Sequence, residues 1–152
     1  MLIDVKSEVE MKEFGMSIGA LLCGGEFIEL SGDVGSGKTT LAKGIAIGMG
    51  ISQNVQSPSF TIKRVYEARN HLILAHYDFY RLAEAGIMTN ELEESINDSN
   101  TVTIIEWGDI VDGVLPIDRL SVKISSPTET SRQLILSSGG EKSMKLIGQL
   151  VV

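Results

Sequence analysis

The chain has 152 residues, of which 43% are hydrophobic and 22% charged, and its formal net charge is −7. This length and composition predict one folded domain spanning residues 1–152 and exclude a chain dominated by disorder or low complexity. The negative charge disfavours unaided tight binding to nucleic acid. Cys23 is the only cysteine, which excludes an internal disulfide. Because neither a signal peptide nor an apolar run of about 18 residues is found, we expect a cytoplasmic protein with no membrane partner.

The N-terminal third predicts a strand, an amphipathic helix and a second strand. Residues 2–5 form the first candidate strand, and Ser7 and Glu10 have the spacing of a capping box. Apolar residues then follow at helical spacing: Met11, Phe14, Ile18, Leu21 and Leu22. The glycines at 24–25 are expected to end this helix, and residues 27–30 predict a strand that runs into a glycine-rich turn.

The rest of the chain alternates between candidate helices and strands. We predict helices at 41–49 and 91–96, and strands at 60–67, 71–79, 101–105, 120–125 and 133–137. Two of the connections between strands are short, which favours two antiparallel hairpins. The β-branched run from residue 101 predicts a buried strand. After Gly140, an amphipathic helix is expected from the spacing of Met144, Leu146, Ile147 and Leu150.

Residues 32–39 have the sequence GDVGSGKT, which matches the phosphate-binding pattern G-x-x-x-x-G-K-[ST] without a mismatch. Glycines there let main-chain N–H groups converge on phosphate oxygens, and the following helix adds its positive dipole end. Lys38 should reach the β- and γ-phosphates, Thr39 should bind Mg²⁺, and Thr40 should lie near the α-phosphate. The candidate nucleotide-binding residues are Asp33, Val34, Gly35, Ser36, Gly37, Lys38, Thr39 and Thr40. The alternative is an ordinary glycine-rich turn with a surface lysine.

Two acids at strand ends are candidates for the remaining chemistry. Asp78 and Glu106 each follow a run typical of a buried strand, so both should lie beside the phosphate loop. Glu106 is expected to bind or orient Mg²⁺ and its water shell, and Asp78 to orient water or Thr39. The sequence does not divide these two roles, and a surface carboxylate that closes a strand is the alternative for each. With Lys38, these two acids are the candidate catalytic residues.

Four further residues each have two interpretations. Trp107 forms either a wall of the site or an anchor in the core. His76 is a candidate general base, although a half-buried strand histidine is the commoner explanation. Arg81 either neutralises charge on the γ-phosphate or makes a surface ion pair. Ser59 lies in a segment with the sequence SPSFT, which is either a switch that senses the γ-phosphate or a plain loop.

Several segments together resemble the TsaE family (also called YjeE), bacterial ATPases needed for threonylcarbamoyladenosine in tRNA. The resemblance rests on GDVGSGKTTL at 32–41, VQSPSFTI at 55–62, HYDFYRL at 76–82 and IIEW at 104–107, in this order and spacing. It covers about residues 7–140. The phosphate loop alone is generic, whereas the combination of the other three segments is much more specific.

The resemblance implies a three-layer P-loop α/β fold with a mainly parallel central sheet and antiparallel hairpins, and Mg²⁺-dependent hydrolysis of ATP. It implies TsaD and TsaB as partners, with tRNA reached only indirectly through that complex. It also implies that Lys38 and Thr39 bind phosphate and metal, that Glu106 is the second metal ligand and that Asp78 is the strand-end acid. Ser59 stands where the family commonly has threonine. The small site without a lid predicts weak hydrolysis until a partner completes it.

Two other functions use the same phosphate loop. A small-metabolite kinase should also have an acceptor site and a mobile arginine-bearing lid, and the sequence shows neither. A nucleotide-gated binding module would bind ATP without hydrolysing it. The guanine-recognition stretch Asn-Lys-x-Asp does not occur in the sequence, so ATP is the expected nucleotide.

Overall fold

A computed structural model of the chain describes residues 1–56, 58, 62–80 and 86–150, apart from the side chains of residues 87, 110 and 112. These residues form a seven-stranded sheet with the strand order β1-β7-β6-β2-β5-β4-β3. The strands are β1 (Leu2–Val5), β2 (Phe27–Ser31), β3 (Lys63–Glu67), β4 (Ile73–Asp78), β5 (Thr101–Glu106), β6 (Leu120–Ser125) and β7 (Arg132–Ser138). The helices are α1 (Glu8–Leu21), α2 (Lys38–Gly48), α3 (Gly86–Asn97) and α4 (Glu141–Gln149). None of these described helices has both the length and the apolar character needed to cross a bilayer.

The four central strands are parallel and the outer strands are antiparallel. β2 pairs in parallel with β5 and β6, and β4 pairs in parallel with β5. The β3–β4 and β6–β7 pairs are antiparallel hairpins, and β1 adds to β7 in antiparallel orientation. The predicted α/β fold class and both predicted hairpins are therefore confirmed. The position of β1 beside β7 was not predicted.

The first hairpin is shorter than the sequence pattern predicts. Residues 60 and 61 lie outside the described residues, and Ile62 has a φ of 67°, which a strand does not accommodate. On the other side, Asn70 and His71 have φ values of 55° and 62°, so the turn includes them and β4 begins later than predicted.

Helices cover both faces of the sheet and so produce the three layers. α1, α2 and α4 pack on one face, where Ile18, Ile45 and Leu146 belong to one apolar core. α3 and the short 3₁₀ segment Gly108–Val114 cover the other face, over a second core that includes Tyr77 and Leu92. The burial of these side chains fixes which face of each helix meets the sheet. Because the α1 and α2 layer adjoins the end of β2, it also frames the glycine-rich loop.

α1 and α2 approach one another closely because glycines line their contact. A Cβ placed on Gly15 would lie 2.6 Å from the carbonyl oxygen of Leu41, and one on Gly19 would collide with the carbonyl of Ile45. Gly44 and Gly48 of α2 meet the α1 backbone in the same way. Any larger side chain at these positions must push the helices apart, which moves the start of α2 and the loop before it.

Local sequence signals at both ends of the chain are largely confirmed. The Ser7 hydroxyl accepts a hydrogen bond from the Glu10 N–H at 3.1 Å, as a capping box requires. The Glu10 carboxylate, however, accepts from the Lys6 N–H at 2.7 Å, one residue before the predicted partner. The predicted C-terminal helix is present and buries Leu146, but Met144 is 63% exposed and does not belong to its buried face.

Candidate nucleotide site

The glycine-rich loop lies at the carboxyl end of β2 and leads directly into α2. β2 ends at Ser31 and α2 begins at Lys38. Gly35 and Gly37 have φ values of 80° and 108°, in the left-handed region that favours glycine. This backbone brings residues 33–40 around the N-terminus of α2, where free N–H groups and the helix dipole attract anions.

Lys38 lies at the base of this loop and is only 6% exposed. Its Nζ donates to the carbonyl oxygens of Gly32 at 2.6 Å and Asp33 at 2.9 Å. Burial lowers the pKa of Lys38 below its usual value, while the nearby carboxylates of Glu106, Asp78 and Asp33 act to raise it. The amine therefore lies in a site where an anion would be a stronger partner than its two neutral carbonyls.

Asp78 and Glu106 end adjacent parallel strands at the same edge of the sheet. They are register partners in the β4–β5 pair and are 4% and 2% exposed. The Asp78 carboxylate accepts a hydrogen bond from the Tyr80 N–H at 2.9 Å. Both acids contribute to the electrostatic environment of Lys38. The structure thus brings together the three residues that the sequence proposed as catalytic.

His76 lies beneath this acid pair and contacts Glu106. It is fully buried, and its Nε2 is 2.8 Å from Oε2 of Glu106. This distance is that of a hydrogen bond between the imidazole and the carboxyl group. His76 Nδ1 has no partner among the described residues. The expectation of a half-buried histidine is therefore wrong, because helices cover both faces of the sheet and residues 74–78 of β4 are all buried.

Trp107 forms a wall beside Lys38. The Lys38 Nζ lies 4.6 Å from the centre of the indole ring, within range of a cation–π contact. Tyr80 packs against the same indole with 5.0 Å between ring centres and is itself 53% exposed. Trp107 has a φ of 58°, which is uncommon for a bulky residue and is found at functional sites that hold a strained backbone. The sequence did not single out Tyr80, although its ring lies at the mouth of the site.

The polar side chains around the loop could bind a hard cation such as Mg²⁺ only if a ligand supplied further oxygen atoms. Among the described residues, no three His, Cys, Asp or Glu side chains converge to hold a metal. Mg²⁺ is commonly bound by one or two protein oxygens plus substrate phosphates. Thr39, half-buried at the start of α2, and the buried Glu106 are oxygen donors of this type. The Ser36 hydroxyl is also buried and has no partner among the described residues.

A cavity of about 490 Å³ opens beside the loop. It lies between the start of α1, the first turn of α2 and the β6–β7 turn. Its lining residues are Lys6, Ser7, Glu8, Met11, Gly35, Gly37, Thr40, Glu129, Thr130 and Arg132. The amino-acid sequence predicted neither this cavity nor its β6–β7 wall, because the turn is distant from the loop in the chain.

The comparison with known families decides which group of P-loop proteins this is. The sequence model of the family "Threonylcarbamoyl adenosine biosynthesis protein TsaE" matches residues 5–134. This chain belongs to the TsaE family. It is therefore a member of a family that takes part in the biosynthesis of tRNA threonylcarbamoyladenosine.

Individual TsaE relatives match over most of their length. The chain is 38% identical to TsaE of Borreliella burgdorferi over 122 residues, which cover 79% of this chain and 87% of that protein. It is 31% identical to TsaE of Treponema pallidum over 132 residues, covering 87% and 96% of the two chains. The crystal structure of Bacillus subtilis YdiB matches with a TM-score of 0.81 and 28% identity, covering 99% of this chain and 93% of that one.

Two of the candidate residues that we predicted from the sequence have no described position. Ser59 and Arg81 lie outside the described residues, so their candidate switch and charge-neutralising roles stay predictions. The phosphate loop, Lys38, both acids and Trp107 do lie together at one edge of the sheet.

Proposed function

We propose that this TsaE family member is a cytoplasmic, Mg²⁺-dependent ATPase that supports the TsaB–TsaD complex during threonylcarbamoyladenosine modification of tRNA. The observation that carries the proposal is the buried Lys38 at the base of a complete phosphate loop, with Asp78 and Glu106 at the same sheet edge. In this proposal tRNA is reached only through the complex, which agrees with a net charge of −7.

ATP binding would use main-chain donors and one ammonium. The amides of residues 33–40 surround the N-terminus of α2, which favours the anionic end of a nucleotide. Lys38 would exchange its two carbonyl acceptors for phosphate oxygens, since an ammonium is attracted more strongly by a negatively charged oxygen than by a neutral carbonyl. The cavity beside the loop has a volume in the range of ligand pockets and adjoins Thr40, so it is the candidate nucleoside site.

Hydrolysis would depend on the two strand-end acids. Thr39 and Glu106 are the residues that would hold Mg²⁺, and the metal would neutralise charge that develops on the phosphates. Asp78 would orient the attacking water, and the Tyr80 amide keeps its carboxylate in place. His76 would hold Glu106 through Oε2. Trp107 would shield the Lys38 side of the site from bulk water.

Dependence on a partner is supported by the surface around the mouth of the site. Val34 is 71% exposed on the phosphate loop, and Tyr80 is 53% exposed at the end of β4. Aromatic residues are enriched at the centre of protein–protein interfaces, so Tyr80 would be a contact for such a partner. A partner seated there would complete the site and exclude water, which is the expected cause of faster turnover in the complex.

The test is phosphate release by the purified chain with ATP and Mg²⁺, alone and with TsaB and TsaD, alongside Lys38→Ala as the inactive control. We expect slow release alone and a clear increase with both partners.

Retention of the chain on immobilised TsaD–TsaB is measured with ATP, with ADP and without nucleotide. A phosphorylated acceptor in place of free phosphate would support a kinase. ATP binding without phosphate release, even with both partners, would support a non-hydrolysing module.

A further inference from the structure

Arg132, the first residue of β7, lies next to the phosphate loop although it is distant from it in sequence. Its Nε donates to the carbonyl of Ser36 at 2.9 Å, 96 residues away along the chain, and its Nη2 donates to the carbonyl of Gly35 at 3.4 Å. Nη1 donates within the β6–β7 turn to the carbonyls of Thr128, Glu129 and Ser131, at 3.3, 3.1 and 2.8 Å. The planar guanidinium of Arg132 therefore fixes the position of the phosphate loop relative to the β6–β7 turn.

The contact with Ser36 determines the direction of the next amide. In a planar trans peptide the C=O and N–H point to opposite sides. Because the Ser36 carbonyl points at Arg132, the Gly37 N–H points away from Arg132. In the described part of the chain this N–H has no hydrogen-bond partner. Gly37 also has a left-handed φ of 108°, a conformation found in the concave backbone sites that bind anions.

We propose that Arg132 is a positioning residue for phosphate binding, which holds the Gly37 N–H toward the bound phosphates through its hydrogen bonds to Gly35 and Ser36. The inference rests on the proposed function in one respect, since it requires the loop to bind phosphate. Arg132 acts through the backbone and needs no contact with the phosphates. A lysine would keep the charge but could not contact both loop carbonyls and the turn with one planar group.

The test measures the affinity of the full chain for ADP and for inorganic pyrophosphate, neither of which requires hydrolysis. The variants are Arg132→Gln and Arg132→Lys, with Arg69→Gln as a matched control. Arg69 is also a half-buried arginine, and its guanidinium likewise donates to main-chain carbonyls, those of Gly19, Ala20, Leu22 and Gly48, but at the opposite edge of the sheet. We expect both Arg132 variants to bind the two probes about tenfold more weakly, and Arg69→Gln to bind them as the wild type does.

A second readout follows the amide itself. In ¹⁵N-labelled wild type, the Gly37 amide resonance should shift strongly when pyrophosphate saturates the site. In Arg132→Gln at saturation this shift should shrink, while other loop amides still respond. Wild-type affinity in Arg132→Lys would show that charge alone matters, and would overturn the proposal. Equal loss in Arg69→Gln and Arg132→Gln would overturn it as well, because a general loss of stability would then explain both.

The outcomes separate this proposal from the proposed function. If the wild type binds pyrophosphate and the Arg132 variants lose it, but no ATP is hydrolysed, only the ATPase proposal fails. If the wild type hydrolyses ATP and the Arg132 variants bind pyrophosphate equally well, only the positioning role fails. If the wild type binds neither probe, both proposals are wrong.

Discussion

Polar groups are paired differently at the two edges of the sheet, which lie at the two ends of its parallel strands. At the edge where β2, β4 and β5 end, the Ser36 hydroxyl and His76 Nδ1 are buried without a partner among the described residues, and the pKa of Lys38 is lowered by burial. At the opposite edge, the Arg69 guanidinium pairs with carbonyls at the ends of both α1 and α2. The Glu26 carboxylate there accepts from the N–H groups that follow α1.

The start of α4 lies at the same edge as Arg69 and Glu26. Asp118 accepts hydrogen bonds from the N–H groups of Lys142 and Ser143 and from the Ser143 hydroxyl, at 2.9, 3.0 and 2.6 Å. Burial acts to raise the pKa of Asp118, but these hydrogen bonds outweigh it and lower the pKa. Polar side chains at this edge therefore mostly pair with the backbone and stabilise the fold, with the buried Tyr66 hydroxyl on β3 as an exception that has no partner among the described residues. At the phosphate-loop edge the unpaired groups surround the loop that we propose binds a nucleotide.

Lys38→Ala should have the largest effect, because it removes the only buried ammonium among the described residues of the phosphate-loop edge. We expect the affinity for ADP to fall at least a hundredfold, since several charge-assisted hydrogen bonds to phosphate are lost together. Trp107 is the only tryptophan and lies over Lys38, so its fluorescence should report binding. Lys145→Ala, an exposed change on α4, is the control and should bind as the wild type does.

Glu106→Gln should reduce hydrolysis about a hundredfold while it preserves the hydrogen bond with His76. In metal-free buffer its affinity for ADP should be unchanged or higher, because a negative charge near the phosphates is gone. Steady-state phosphate release and calorimetry with and without Mg²⁺ measure the two effects. If ADP binding in metal-free buffer fell by as large a factor as hydrolysis, Glu106 would have a structural role only.

Arg69→Gln should test the edge of the sheet opposite the phosphate loop. Four guanidinium–carbonyl hydrogen bonds disappear, and the free energy of unfolding should fall by about 2–4 kcal/mol. Urea unfolding followed by circular dichroism measures this change, and ADP affinity at low temperature should stay at the wild-type value. A stability loss below about 0.5 kcal/mol would mean that water replaces these hydrogen bonds at little cost.

The lowered pKa of Lys38 predicts a smaller, pH-dependent effect. The folded chain without nucleotide releases the Lys38 proton below the usual pKa of 10.5, so ADP affinity should fall as alkaline pH approaches that value. Bound phosphates favour the charged amine, and binding should then take up a proton. Between the lowered pKa of Lys38 in the folded chain and its usual pKa in the unfolded chain, the unfolded chain holds more protons. In this range Lys38 therefore makes the free energy of unfolding rise with pH. Calorimetry in buffers of different ionisation enthalpy measures the uptake; Lys38→Arg should show none.

Much of this architecture was predictable because its signals are local. The phosphate-loop pattern, the capping serine and the β-branched run of β5 each occupy a few consecutive residues, and each gave the correct element. Asp78 and Glu106 were found for the same reason, since acids that end parallel strands meet at one edge.

The features that the sequence did not predict depend on contacts between distant segments. The pairing of His76 with Glu106 follows from the β4–β5 register, which only the folded sheet determines. The contact of Arg132 with the loop joins residues that lie 96 positions apart. The exposure of Met144 depends on which face of α4 meets the sheet, and the helical spacing alone allowed more than one face.

Nucleotide binding at the phosphate loop is best tested by calorimetric titration of the wild-type chain with ADP and Mg²⁺. We expect saturable heat with one nucleotide bound per chain, and competition by inorganic pyrophosphate. No heat at millimolar nucleotide would contradict a phosphate site between the loop, Lys38 and the two buried acids.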